Sequence, residues 1–159
     1  MLVKKADDYQ SWYIEEVDYG ILIDPWLDNK LNPYSSFFLQ RKRHESHSLE
    51  EEEIEKVKAI IITAPFADHL HVPSLKLLGS DRTIYSTETV RKILKKQNIN
   101  NLFKQIEDIS EIGPFSFSSF PAGFPYNRSA FSLLISNEDG KSIYHEGHNV
   151  DLKQLKKNK

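Results

Sequence analysis

The chain has 159 residues, which is enough for one domain with an apolar core and too few for two, so we expect a single domain over residues 1–159. Its 21 basic and 23 acidic residues nearly balance, which excludes the strong attraction that nucleic acid or an anionic membrane surface requires. The absence of cysteine excludes disulfides, thiol nucleophiles and thiolate metal sites.

Membrane insertion and export are not indicated either. No apolar run approaches the roughly 18 residues of a membrane helix. The first ten residues, MLVKKADDYQ, lack the apolar core of a signal peptide. We therefore expect a cytoplasmic protein with neither nucleic acid nor a membrane as its partner.

The first predicted elements are two strands within residues 11–24, where apolar residues flank a turn at residues 18–20, as in a β-hairpin. Residues 26–47 have no hydrophobic periodicity, so we predict a long loop. Ser48 and Glu51 have capping-box spacing, which predicts a short acidic helix that ends near Val57.

The middle of the chain predicts the centre of the sheet. Residues 59–63, AIIIT, form a continuous apolar run that is typical of a strand buried on both faces. A helix over residues 73–78 should end at Gly79. A short strand at residues 83–86 should lead to a helix that Thr87 caps.

The last third predicts mainly strands. Phenylalanine and serine alternate over residues 115–120, and residues 130–135 and 141–144 flank a turn at residues 138–140. A final helix is predicted near Asn149. The pattern favours an α/β (α+β) domain with a mixed sheet and flanking helices.

Two segments carry residues suited to chemistry. The first, TAPFADHLH at residues 63–71, leaves the carboxyl end of the predicted central strand, where α/β proteins place ligands. Its Asp68, His69 and His71 are nitrogen and oxygen donors. The second, YHEGHN at residues 144–149, contains Glu146 and His148, which would share one side if the strand persisted to residue 148.

Each segment also has an ordinary structural interpretation. Asp68 and His69 could cap the following helix, and His71 could be structural or exposed. Glu146 and His148 could form a solvated pair after a strand. His145 should point away from His148 in an extended chain, so we interpret it as unrelated to the site.

The first segment resembles the THxHxDH motif of the metallo-β-lactamase superfamily. Thr63, Asp68 and His69 are kept, whereas Ala64 and Phe66 stand where two histidines would be. The combination of Asp-His-x-His with Glu-x-His downstream looks like an uncharacterised bacterial and plant branch of that superfamily.

Two later positions fit the same family with substitutions. In the second segment Gly147 is kept, but His148 replaces the bridging aspartate of a Gly-Asp pair. Phe124 stands where a middle histidine is expected. The resemblance covers about the first two-thirds of a usual family member, and the last metal-binding histidine belongs to the part beyond it.

The resemblance implies the N-terminal half of an αββα sandwich and a metal-dependent hydrolase with an eroded motif and at most one metal site. The ligands would be Asp68, His69 and His148, with His71 or Glu146 at remaining places, and Asp68 and Glu146 would be the catalytic carboxylates. Asp24 looks like a residue that orients the metal loop. The ion would be zinc, with manganese or iron as alternatives.

Two further implications stay open. The alternative function is a non-catalytic binding or scaffold protein of the same fold, without a metal. The small-molecule substrate cannot be read from the sequence. A half sandwich would also expose an apolar sheet face, so we expect a homodimer that covers it.

Overall fold

The protein is built from twelve strands and three short helices within the part that the computed structural model describes, which is residues 1–31, 41–42 and 47–148. In chain order these elements are β1 (Leu2–Lys5), β2 (Trp12–Glu16), β3 (Tyr19–Ile23), β4 (Lys30–Leu31), β5 (Arg41–Lys42), α1 (Glu51–Lys56), β6 (Val57–Ile61), α2 (Val72–Leu78), β7 (Thr83–Ser86), α3 (Glu88–Lys96), β8 (Phe103–Gln105), β9 (Glu111–Ile112), β10 (Phe115–Pro121), β11 (Phe131–Ser136) and β12 (Ser142–His145). A 3-10 turn at Ile106–Asp108 joins β8 to β9.

The strands form two main sheets. The first has the order β1-β2-β3-β6-β7-β8, antiparallel from β1 to β3 and parallel from β3 to β8. The second has the order β12-β11-β10-β9 and is antiparallel throughout. β4 and β5 form a separate pair inside the predicted long loop. The mixed α+β class is therefore confirmed.

Local sequence explains most of the first sheet. The β2–β3 hairpin turns at Val17 and Asp18, which have φ of 47° and 60°, so the turn begins one residue earlier than predicted and has two residues instead of three. β6 lies in the interior of the sheet, as its apolar sequence predicts, and four of its five residues are buried.

The helices lie close to their predicted positions, but the first cap differs. Glu50 and Glu53 form the capping box of α1, not Ser48 and Glu51. The Ser48 hydroxyl instead donates a hydrogen bond to the Lys5 carbonyl at 2.5 Å. Thr87 caps α3 as predicted, because its hydroxyl accepts from the Val90 N–H.

Two apolar layers define the architecture. On one face of the first sheet, Leu22 and Ile60 belong to the same buried cluster as the helix residues Leu75, Val90 and Leu94. On its other face, Ile21 and Ile61 belong to the same buried cluster as Phe115, Phe117, Leu133 and Ile135 of the second sheet. The order helix–sheet–sheet matches three layers of the predicted αββα sandwich.

The outer face of the second sheet is more polar than expected. Ser116, Ser136 and Ser142 form one row across its strands, and the Ser136 and Ser142 hydroxyls hydrogen bond at 2.7 Å. The neighbouring row contains Ser118, Leu134 and Tyr144. In the described residues this face is not the apolar surface from which we inferred a homodimer, and the homodimer stays a prediction.

The predicted helix near Asn149 lies outside the described residues. In the described part of the chain, no helix is both long and apolar enough to cross a membrane.

Candidate functional site

A buried carboxylate joins the ends of two adjacent strands. Asp24 directly follows β3 and is 1% exposed. Its Oδ1 accepts the backbone N–H of Thr63 at 2.7 Å, and its Oδ2 accepts the Thr63 hydroxyl at 2.5 Å. The Asp24 N–H in turn donates to the Ile61 carbonyl at 2.8 Å. Asp24 therefore holds the start of the loop that follows β6, the role that the sequence suggested.

The same carboxylate orients His69. The His69 Nδ1 lies 2.8 Å from Asp24 Oδ2 and 3.0 Å from the Thr63 Oγ1. An ionised carboxylate only accepts hydrogen bonds, so Nδ1 carries the proton in this contact. In the neutral ring the lone pair is then on Nε2, which lies 3.9 Å from Asp68 Oδ2. This arrangement is typical of histidines that bind metals.

The electrostatics of this pair favour an ionised Asp24. Burial would raise the pKa of the Asp24 carboxyl, but His145 and His69 outweigh burial and lower that pKa to about 2. Burial likewise lowers the pKa of His69, but the Asp24 carboxylate and then Asp68 raise it above its ordinary value.

Acid should therefore destabilise the protein through Asp24. A carboxyl whose pKa is lower in the folded state stabilises the fold above the unfolded pKa of 3.8 and loses that contribution as the pH falls towards about 2. We expect about 2 kcal/mol to be lost between pH 5 and pH 2. Urea unfolding of the wild type and Asp24→Asn at both pH values checks this, because the variant should not show this loss of unfolding free energy between pH 5 and pH 2.

His145 approaches Asp24 as well, which corrects our interpretation of this residue as unrelated to the site. Its Nε2 lies 3.8 Å from Asp24 Oδ2, too far for a hydrogen bond but close enough for an ion pair whenever the ring carries a charge. The nitrogen is buried and has no hydrogen-bond partner among the described residues. The alternation of residues along a strand could have predicted this contact, because Ile143 and His145 face inward on β12 while Tyr144 is exposed.

A cluster of four rings, those of Phe66, His69, Tyr126 and His148, forms the other side of the candidate site, which we call the cleft. The Tyr126 and His148 ring centroids lie 4.5 Å apart, and Phe66 lies 4.9 Å from His148 and 5.3 Å from Tyr126. The His69 ring is 6.2 Å from His148 and 6.3 Å from Phe66. Phe66 thus occupies with an apolar ring the place where the resemblance expects a histidine.

Two of the predicted ligands, Asp68 and His69, lie side by side, and the third, His148, lies in the ring cluster beside His69. Asp68 is 39% exposed at the rim of the cleft. Among the described residues, however, no three His, Asp or Glu side chains already surround a point at which an ion could sit. Glu146 is exposed, and β12 ends at His145, so the strand does not persist to residue 148 as the shared orientation of Glu146 and His148 required.

His71 lies apart from this cleft. Its Nδ1 hydrogen bonds the Ser74 hydroxyl at 2.7 Å, and its ring lies 5.9 Å from that of Trp26. His71 is also the residue that precedes the first turn of α2. Asp68 and His69 therefore do not cap that helix, and the capping interpretation was wrong.

Phe124, the other substituted position, is 86% exposed. It is consequently not part of the ring cluster.

Sequence reasoning missed the residues that support the site from the first loop. The Ser11 hydroxyl donates to the Asp24 carbonyl at 2.8 Å and accepts the Trp26 N–H at 3.0 Å. The Gln10 amide donates to the Asp68 carbonyl. These contacts join residues far apart in the chain, and polar residues between two strands signal only a turn.

A family model described as a beta-lactamase superfamily domain matches residues 19–149 of the chain. No curated protein sequence matches it.

Solved structures share the fold at low sequence identity. A possible metal-dependent hydrolase from Veillonella parvula superposes with a TM-score of 0.74 at 17% identity, over 99% of this chain and 66% of that one. An isothiocyanate hydrolase from Delia radicum gut bacteria gives 0.72 at 18% identity, with the same two coverages. Zinc-bound PqqB from Methylobacterium extorquens gives 0.53 at 14% identity, over 85% and 47%.

These likenesses show the fold alone. The chain spans 66% of the length of the first two structures.

Proposed function

The chain belongs to the beta-lactamase superfamily, whose family model covers residues 19–149, and on that premise we propose that it is a metal-dependent hydrolase that uses one divalent ion. The observation that carries the proposal is the hydrogen bond between Asp24 and His69 Nδ1 at 2.8 Å. A carboxylate behind a histidine fixes the ring and leaves Nε2 available to an ion.

The donors that lie nearest one another support one ion rather than two, and binding it would require them to draw together, because among the described residues no three surround a common point. Two ligand atoms that both lie roughly 2.0–2.2 Å from one zinc ion are about 3–4 Å from one another. His69 Nε2 and Asp68 Oδ2 are 3.9 Å apart, which agrees with that spacing. His148, whose ring lies 6.2 Å from that of His69, is the third donor. A second ion lacks ligands, because Ala64, Phe66 and Phe124 provide no donor atom.

A bound divalent ion would supply the chemistry of the superfamily, which is a water nucleophile at neutral pH and polarisation of an ester, amide or phosphodiester group. Zinc suits two imidazoles and a carboxylate best, and manganese or iron are the alternatives. The chain's own contribution is orientation, since Asp24 and Thr63 hold His69 and the rings of Phe66 and Tyr126 hold His148.

Two carboxylates complete the proposed machinery. Asp68 lies at the rim of the cleft. It would bind the ion and help to orient the substrate beside that ion. Glu146, exposed one residue before Gly147, is proposed as the general base that accepts a proton during hydrolysis.

A second candidate function is metal-free binding of a ligand or partner. The observation in its favour is the ring cluster, in which Phe66, Tyr126 and His148 already pack edge to face in the space beside His69. Aromatic packing stabilises such an arrangement without an ion. On this candidate the Asp24–His69 pair is purely structural.

Metal content decides between the two. The wild type, incubated with zinc and freed of excess, should retain about one ion per chain by mass spectrometry, while His69→Ala should retain less than about a tenth. Asp68→Asn removes a half-exposed ligand and tests the site without disturbing buried contacts. His47→Ala is the matched control and should retain the ion, because the His47 Nδ1 accepts the Leu49 N–H in the segment before α1.

An ion in the wild type that both site variants lose supports the hydrolase, and screens of esters and phosphodiesters should follow. A wild type that binds no ion contradicts it and leaves the metal-free function. The cytoplasmic location, the homodimer and the absence of nucleic-acid and membrane partners stay predictions.

A further inference from the structure

A cavity of about 380 Å³ lies beside the candidate site, between the β1–β2 side of the first sheet and β12 of the second. Two of its lining residues contact the site. The Gln10 amide donates to the Asp68 carbonyl, and the His145 Nε2 lies 3.8 Å from Asp24 Oδ2. The cavity therefore shares a wall with the site but does not include His69 or His148.

The walls of the cavity suit a flat apolar group. Trp12 is an aromatic lining residue that faces the second sheet, and Ile23 and Ile143 add aliphatic surface. The volume lies in the range of small-molecule pockets and equals that of about a dozen liquid water molecules. A ligand with a single aromatic ring fits this size.

Two opposite charges line the same cavity. Lys5 and Glu146 both border it, and neither forms an ion pair with any residue in the described part of the chain. The Lys5 Nζ lies 5.7 Å from the centre of the Trp12 ring, so the cation is held beside an aromatic wall. One cation and one carboxylate balance, which disfavours a multiply charged anion such as a phosphate ester.

We propose that this cavity binds a small aromatic zwitterion with one ring, of the kind represented by L-phenylalanine. The ring packs against Trp12 and Ile143, the ligand carboxylate pairs with Lys5, and its ammonium group pairs with Glu146. Binding does not depend on the proposed ion, since none of the three contacts involves Asp68, His69 or His148, although one of them uses Glu146, the proposed general base.

Isothermal titration of the full chain with L-phenylalanine in the presence of EDTA tests the site separately from metal binding. We expect saturable 1:1 binding of L-phenylalanine. Phenylacetate lacks the ammonium group, 2-phenylethylamine lacks the carboxylate and L-leucine lacks the ring, and each should bind at least tenfold more weakly. Lys5→Gln and Glu146→Gln should each weaken L-phenylalanine binding by about tenfold, the loss of one charged contact.

Lys104→Gln is the matched control for Lys5→Gln, because the Lys104 Nζ lies over the Tyr85 ring at 5.8 Å in a comparable contact outside the cavity. It should bind L-phenylalanine as the wild type does. No saturable binding, equal binding of L-leucine, or unchanged affinity in the Lys5 and Glu146 variants would each overturn the proposal, whatever the metal content proves to be.

Discussion

Asp24→Ala should destabilise the protein by about 3–5 kcal/mol at pH 7, the typical cost of removing one partner from a buried charged pair. The carboxylate accepts bonds from the Thr63 N–H, the Thr63 hydroxyl and His69 Nδ1, and all of these donors are buried. Alanine would leave these buried donors without an acceptor. Equilibrium unfolding in urea measures the change.

Two variants make this result specific. Asp24→Asn keeps the shape and tolerates the φ of 46° at this position, so it should cost less than alanine, about 1–3 kcal/mol. Glu138→Ala, in the exposed β11–β12 turn, should change stability by less than about 0.5 kcal/mol. If Asp24→Ala were no worse than Glu138→Ala, the buried network would not hold the two strand ends together.

The sequence predicted the centre of the fold better than its edges. β6 and the β2–β3 hairpin follow from apolar runs and turn residues, which act over short distances. β1 was not predicted, because three of its four residues are exposed and no alternation marks it. β8 and β9 are shorter still, and three of their five residues are exposed. Such strands owe their structure to a neighbouring strand rather than to their own sequence.

The candidate site shows the same division. Asp68 and His69 were found because they follow the central strand, whereas Asp24 was identified through the family resemblance. The contact of Tyr126 with His148, at 4.5 Å between ring centres, joins two loops through tertiary packing. No spacing in the sequence reports such a contact, so the ring cluster could not be predicted.

The substitutions in the motif follow a physical pattern. The orienting residues Asp24 and Thr63 are present and hydrogen bonded, whereas the histidine positions at Ala64 and Phe66 have become apolar. Ala64 is fully buried with Ala122 and Ala130, and Phe66 packs against them. The half of the cleft without donors is therefore filled by packing, while the half around His69 keeps its polar support.

Gly147 lies directly before His148 and packs against Thr63. Gly147→Val should destabilise the protein by about 3 kcal/mol, at the upper end of overpacking costs. A Cβ at this position would lie 2.5 Å from the Phe131 carbonyl oxygen, 2.6 Å from Thr63 Cβ and 2.7 Å from Thr63 Oγ1. These neighbours cannot easily withdraw, because the Phe131 N–H donates to the Thr63 carbonyl at 3.1 Å and Thr63 is held by Asp24.

Gly140→Val is the control, since Gly140 has a φ of 78° but open space around it, and its cost should be limited to about 1–2 kcal/mol of backbone strain. Urea unfolding measures both variants, and zinc retention by Gly147→Val reports whether His148 keeps its place beside His69. Equal costs for the two glycines would mean that the chain after β12 shifts away freely. In that case the close packing on Thr63 would not position His148.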